Sequence, residues 1–277
     1  MKKPLFILFW VSISWLISCF EETPINSKET VIDSSSSTSS SSFIEITKCT
    51  QEEENCFKDL RDQQTYRTIT IAGKTWFQEN LNFSPYEVPY NQPIDKFTTS
   101  FCPPSHKSNF TMSAIDLPYN CQKYGRVYSA AVIVDSITGE INNICPSGWR
   151  IPNIADWEGL IQLNDSLGYS ERSVNAFLDI RDWQYYPTFT EGTNELNFRI
   201  LPAEDMFFTE SLLQPLSWQV RQSRTSFWIG EVNESTDPSV TRYAPLYLSI
   251  SSETFIFGYD EMYNTANSIR CIQEIDE

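Results

Sequence analysis

Thirty-six acidic side chains and a single histidine, His106, set the chemistry open to this chain of 277 residues. A serine or cysteine nucleophile would have to be activated through that one imidazole, and a zinc site built on several histidines is excluded. His106 stands in Pro103-Pro-Ser-His-Lys107, a proline-led loop, and reads as an exposed bystander. Paired carboxylates offer another route: an acid and a nucleophile or base, about 5 to 9.5 Å apart, hydrolyse glycosidic bonds. Glu79, Asp156, Glu158, Glu204 and Asp205 are candidates, yet so acidic a chain yields pairs by chance, and Asp156 and Glu158 are accounted for as first-turn acids of a helix. No catalytic constellation emerges, so the expectation is a protein that is not an enzyme. Oxygen donors at Glu231, Asn233, Glu234 and Asp237, expected in a loop after Trp228, are candidate Ca2+ ligands, the one cofactor the sequence brings forward. Their spacing matches no twelve-residue calcium loop, and a solvated acidic loop is the simpler reading. Flat rings can stack on sugar faces without metal; Trp183, Tyr185 and Tyr186 cluster in sequence, with Trp218, Tyr243, Tyr259 and Tyr263 further along, as a candidate recognition surface. Trp76, Trp149, Trp157 and Trp228 are expected in the core.

The charge balance, 20 Lys+Arg against 36 Asp+Glu for a net −16, opposes binding to a phosphate backbone, so nucleic acid is not an expected partner. Residues 1–18 begin with Lys2 and Lys3 and continue in an apolar run from Pro4 to Leu16, too short to span a bilayer and readable as a signal peptide. The ending Leu16-Ile17-Ser18-Cys19 resembles a bacterial lipobox. That resemblance implies cleavage before Cys19, acylation of its sulfur and of the new amino terminus, and stable tethering to a membrane. Phe20 stands where an aspartate would resemble an inner-membrane retention signal, which favours the outer membrane or cell surface. Under this reading the sequons at Asn82, Asn109, Asn164 and Asn233 are coincidental. Residues 19–43 read as a lipid-anchored stalk, all serine from Ser34 to Ser42 apart from Thr38. Residues 44–277 form the body.

Elements able to position side chains lie in that body. Arg67 to Ile71 alternates polar and apolar, Ala72-Gly73 supplies a turn, and Lys74-Thr75-Trp76-Phe77 returns as a hairpin partner. Asn153 caps a helix that carries Ile154, Trp157, Leu160, Ile161 and Asn164 at helical spacing and stops at Leu167-Gly168. A second helix is expected over 171–180, with Val174, Phe177 and Leu178 inward. Strands are expected over 196–201, 226–232, 243–250, 254–259 and 268–273, giving an α+β fold of short antiparallel strands around two helices. Seven cysteines less Cys19 leave six, an even set for an oxidising compartment, with fifteen pairings open. Cys49 with Cys56 and Cys102 with Cys121 are close enough in sequence for local bridges, which leaves Cys145 with Cys271. That last bridge would contribute about 5 kcal/mol by chain entropy. A structural zinc site is disfavoured by the absence of paired Cys-x-x-Cys units.

From Thr68-Ile-Thr-Ile-Ala-Gly-Lys-Thr-Trp-Phe-Gln-Glu-Asn-Leu-Asn82 onward the chain resembles the Fibrobacter succinogenes major paralogous domain. The resemblance continues, in order, at Tyr124-Gly-Arg-Val-Tyr128, Ile144-Cys-Pro-Ser-Gly-Trp-Arg-Ile-Pro152 with Asp156-Trp157, Leu201-Pro-Ala203, Phe227-Trp228 and Ser268-Ile-Arg-Cys271. It implies a secreted or lipid-anchored bacterial protein, and architecture more than activity. The pattern is also similar to C-type-lectin-like domains, through helices followed by Trp228-Ile229-Gly230 and a closing strand with Arg270-Cys271. That fold is typically bridged from its first helical region to its last strand, as Cys145 and Cys271 would be. Where the paralogous family continues Leu-Pro-Ala-Gly, this chain has Glu204-Asp205. No Glu-Pro-Asn, Gln-Pro-Asp or Trp-Asn-Asp follows Trp228, so calcium-dependent sugar binding does not carry over. The expected function is a surface-displayed binding or adhesion module for polysaccharide or another envelope protein. The alternatives are a secreted carbohydrate-active enzyme and an envelope structural component.

Overall fold

Ala72 and Gly73 both adopt left-handed backbone, φ +49° and +73°, as a two-residue hairpin turn matched to strand twist requires. They join β2 (Thr65–Ile71) to β3 (Lys74–Phe77) with Ile71 opposite Lys74, as the alternating pattern predicts. This computed structural model describes residues 49–50, 53–85, 100–102, 117–168, 174–180, 183, 192–203, 206–207, 224–237, 239, 241–251, 255–261 and 263–274. Cys19, His106, Tyr185, Tyr186, Glu204, Asp205, Trp218 and the segments 1–18 and 19–43 lie outside the described residues. All described residues fall in one compact unit, Glu45–Glu277.

The remaining elements are β1 (Cys56–Lys58), β4 (Ser100–Phe101), α1 (Leu117–Tyr124), β5 (Val127–Ser129), α2 (Ala130–Ile133), β6 (Trp149–Arg150), α3 (Ile154–Ser166), β7 (Met206–Phe207), β8 (Arg224–Glu234), β9 (Tyr243–Ser251), β10 (Phe255–Tyr259), β11 (Thr265–Ser268) and β12 (Ile272–Gln273). Mostly sheet with a few helices, the architecture is α+β. One antiparallel sheet runs β1-β2-β3-β12-β6. The second runs β10-β9-β8-β11-β5-β4, with β7 also on β11, and its one parallel pair is β8 with β11.

The expected strand over 268–273 is divided between the two sheets. Ser268 ends β11, Ile272 begins β12, and Ile269, Arg270 and Cys271 cross between them fully buried. Backbone pairing survives the crossing, because the carbonyls of Ile269 and Cys271 accept from Leu81 and Phe77. Two apolar clusters fill the interior. Tyr128, Trp149, Trp228 and the Cys145–Cys271 bridge lie in one; Trp76, Trp157, Phe198 and Phe227 lie in the other. All four tryptophans expected in the core are buried. Bridges join Cys49 to Cys56, Cys102 to Cys121 and Cys145 to Cys271, the pairing that local closure predicts.

Asn153 caps α3 through a reciprocal box: its side chain accepts from the Asp156 amide at 2.9 Å, and Asp156 accepts from the Asn153 amide at 2.8 Å. The helix expected over 171–180 is not formed in its described part. Val174, Phe177 and Leu178 are buried as its spacing demands, but the backbone only turns there. The carbonyls of Asn175, Ala176 and Phe177 accept from Thr193, Leu196 and Ile200, so tertiary partners take the acceptors that a helix would use. The strand expected over 196–201 is likewise absent, apart from a single bridge of Ile200 to Leu178. Asn194, Asn197 and Arg199 have φ of +51°, +51° and +57°, which no extended strand permits. Among the described residues, no helix is long and apolar enough to cross a membrane.

Candidate functional site

Three left-handed residues within six positions make segment 194–199 the most contorted stretch described, and it is held from beneath by Arg270. A left-handed arginine such as Arg199 costs on the order of 1 kcal/mol, so the surroundings must impose it. Arg270 is fully buried at the crossing between the sheets. Its guanidinium donates to Asn80 Oδ1 at 2.7 Å (Nη2) and 3.2 Å (Nε), and to the carbonyls of Phe198 and Arg199. The rings of Phe198 and Phe227 lie 4.9 and 5.5 Å from its carbon. Burial pushes this guanidinium down to about 9, with Glu79 opposing the shift. Asn80 completes the network by donating to the Tyr124 carbonyl at 2.9 Å.

Above this network lies Glu79, just past the end of β3. Its Oε2 accepts the Arg67 amide at 2.7 Å, and its Oε1 accepts from Arg67 and Arg199 guanidinium groups at 3.3 and 3.4 Å. Burial raises its carboxyl above the ordinary range, and the two arginines offset only part of that rise. Arg199 also faces Asp179, Nε to Oδ2 3.6 Å. A void of about 10 Å³, room for about one water, lies among Glu79, Lys123, Tyr124, Arg199, Leu201 and Arg270. Gln78 separates it from a broader cleft of about 350 Å³ lined by Glu53, Asn55, Arg67, Thr70, Gln78 and Asn197. Gln78 itself is fixed by donating to the Asn197 carbonyl at 2.7 Å. The cleft presents a guanidinium, three side-chain amides, two threonine hydroxyls and a carboxylate, with Ile69 as its apolar part. Such alternating donors and acceptors suit vicinal hydroxyl groups.

Of the carboxylates expected to pair, Glu79 borders the one-water void and none of those described lines the broader cleft. Asp156 is structural. Burial opposes its charge, but hydrogen bonds from Arg150, Lys74 and the Asn153 amide hold its carboxyl below the usual range. Glu158 is exposed on α3.

The calcium candidates do not converge. Glu231, Asn233 and Glu234 belong to β8 instead of a loop, with Asn233 and Glu234 paired to Ala244 and Tyr243. Glu231 accepts from the Ile154 amide at the start of α3, Glu234 binds Arg242 at 2.9 Å, and Asp237 is turned toward Ser239. Among the described residues, no group of three or more His, Cys, Asp or Glu is placed to hold a metal ion. Trp183 is not a recognition surface either. It is buried, and its indole donates to the Ile200 carbonyl at 3.1 Å. Tyr263 is buried as well, whereas Tyr259 is exposed.

Sequence reading missed Asn80, Arg199 and Arg270 as parts of one assembly. The available signal was a cation between Ile269 and Cys271 in an apolar closing segment, which demands a buried acceptor from elsewhere in the chain.

The model of the Fibrobacter succinogenes major domain matches residues 69–273. No curated protein and no solved structure matches the chain.

Proposed function

The chain belongs to the Fibrobacter succinogenes major domain family, and on that premise we propose that it is a lipid-anchored binding module at the outer membrane or cell surface. It takes a hydroxyl-rich polysaccharide in the cleft beside β2. The observation that carries this reading is the cleft itself, about 350 Å³ and lined mainly by polar side chains. Arg67 shares the cleft with Glu53 and is paired with Glu79 behind it, so the cleft has no net excess of positive charge to select an anion. That balance favours neutral sugar units. The Cys19 lipobox and the serine-rich 19–43 segment supply the tether, and the Cys145–Cys271 bridge, from ahead of α3 to ahead of the last strand, supports a C-type-lectin-like arrangement.

A glycan array probed with the chain, with and without chelator, tests the binding. Chelator-resistant binding to neutral polysaccharide is expected; binding to no glycan would overturn the reading and favour an envelope structural role. Metabolic labelling with a radioactive fatty acid tests the tether, since label retained by Cys19→Ala would contradict it.

A second reading rests on Glu79, whose raised carboxyl on the small void behind Gln78 has the protonation suited to a general acid in glycoside hydrolysis. Release of reducing ends that disappears in Glu79→Gln would favour it.

A further inference from the structure

The cleft beside β2 opens where β1 stops. Cys56, the first residue of β1, pairs with Arg67, while β2 runs on to Ile71, so Thr68, Ile69 and Thr70 reach past the neighbouring strand and line the cleft. Glu53 and Asn55, just ahead of β1, join them there. Both lie within the short loop that the Cys49–Cys56 bridge closes.

The two residues are held differently. Asn55 is fastened to the sheet directly, its carbonyl accepting from the Thr68 amide at 2.9 Å. Glu53 is not. Its amide donates to the Thr50 carbonyl at 2.9 Å, and its Oε1 accepts from the Thr50 amide at 3.1 Å and from the Thr50 hydroxyl at 3.4 Å. Among the described residues, Thr50 and Glu53 hydrogen-bond only to each other, so this turn reaches the sheet through covalent links alone. Cys49, next to Thr50, is buried and bonded to Cys56, and that bond ties the turn to the β1–β2 pair. Directly opposed residues share a face of a sheet, so the bridge and the Arg67 side chain start from the same face.

The contacts with Thr50 occupy one carboxylate oxygen of Glu53 and leave Oε2 of an exposed side chain for a ligand. An ionised carboxylate only accepts, so it holds hydroxyl groups and repels an acidic ligand. Arg67 lines the same cleft and would favour an anion. Resting on the saccharide reading above, we propose that Glu53 is the specificity-determining residue of the cleft, selecting neutral over acidic saccharides, and that the Cys49–Cys56 bridge positions it. The bridge restricts the loop before a ligand arrives, which leaves less ordering to be done on binding.

A glycan array carrying matched neutral and uronic-acid oligosaccharides, probed with the full chain and three variants, tests the proposal. Wild type is expected to prefer the neutral member of each pair. Glu53→Gln alters an exposed side chain, so its melting temperature should be retained while the neutral-over-acidic preference falls about tenfold, the scale of one hydrogen bond to a charged group. Cys49→Ser/Cys56→Ser, checked for a cooperative thermal melt, is expected to lose most of the same preference. Adding Glu53→Gln to it should then change little, because the carboxylate is already out of place; a purely structural bridge would leave the Glu53→Gln effect intact. Wild type that binds no oligosaccharide overturns the saccharide reading and this assignment with it. Wild type that binds, with the preference unchanged in Glu53→Gln or with the full Glu53→Gln effect persisting without the bridge, overturns the assignment alone.

Discussion

A Cβ placed on Gly125 would lie 2.6 Å from the Cβ of Asn80, closer than real side chains approach. Gly125 also has φ +75°, so both its backbone and its lack of a side chain are required where the chain leaves α1 for β5. Asn80 is thereby pressed onto the Tyr124 carbonyl with its oxygen turned to Arg270. Gly125→Ala is expected to cost about 2 to 3 kcal/mol, combining left-handed strain with displacement of a buried network. Denaturant unfolding of the variant beside wild type measures it.

Asp156 and Glu79 predict opposite slopes of stability with pH. The Asp156 carboxyl lies below its ordinary 3.8 when folded, so its contribution is present above that value and is lost as pH falls through the folded pKa. Glu79 lies above its ordinary 4.5 when folded, so its contribution is present below 4.5 and is lost as pH rises through the folded pKa. Asp156→Asn should therefore flatten the acid limb and cost about 2 kcal/mol at neutral pH, through a weakened cap and charges left without their partner. Glu79→Gln should gain on wild type as pH rises. Unfolding curves collected from acid to neutral pH separate the two.

Thr70 is exposed on the wall of the cleft and carries none of the core. Thr70→Trp should fill the cleft, weaken glycan binding at least tenfold and leave the melting temperature unchanged. Calorimetric titration with an array-positive saccharide, paired with a thermal melt, checks both halves.

Trp183 should behave as core. Trp183→Ala is expected to lose about 3 to 5 kcal/mol of stability, the usual cost of deleting a buried ring. Glycan affinity of the remaining folded fraction should be unchanged, as binding and unfolding measured on the same preparation would reveal.

The bridges should rank by the loop each closes. Cys145 and Cys271 are separated by 126 positions, Cys49 and Cys56 by only 7. Paired alanine substitution at the first should cost about 4 to 5 kcal/mol and at the second about 2 kcal/mol. Scanning calorimetry of both double variants gives the order.

Legibility in the sequence followed the range of the interaction that decides each element. The β2 to β3 hairpin and α3 were readable because an alternation, a turn pair and a capping residue sit within a few positions of one another. The 174–180 segment misled because apolar residues at helical spacing are also what a buried turn needs, and the choice lay with amides of Thr193, Leu196 and Ile200. For Trp183 the indole was legible as sticky surface or as core, and an acceptor at Ile200 decided. The calcium candidates failed for a similar reason: a loop was assumed where β9 supplies partners that keep β8 extended to Glu234.

By itself, the order of residues determined the family, the two local cysteine bridges, the principal hairpin and the capped helix, since each depends on near neighbours or on a run of matching blocks. Tertiary structure alone decided that Asn80, Arg199 and Arg270 form one assembly with Glu79 above it, and that the closing strand divides between two sheets. The physical reason is desolvation: a guanidinium withdrawn from water must find acceptors wherever the fold brings them, and those at Asn80, Phe198 and Arg199 are distant in sequence.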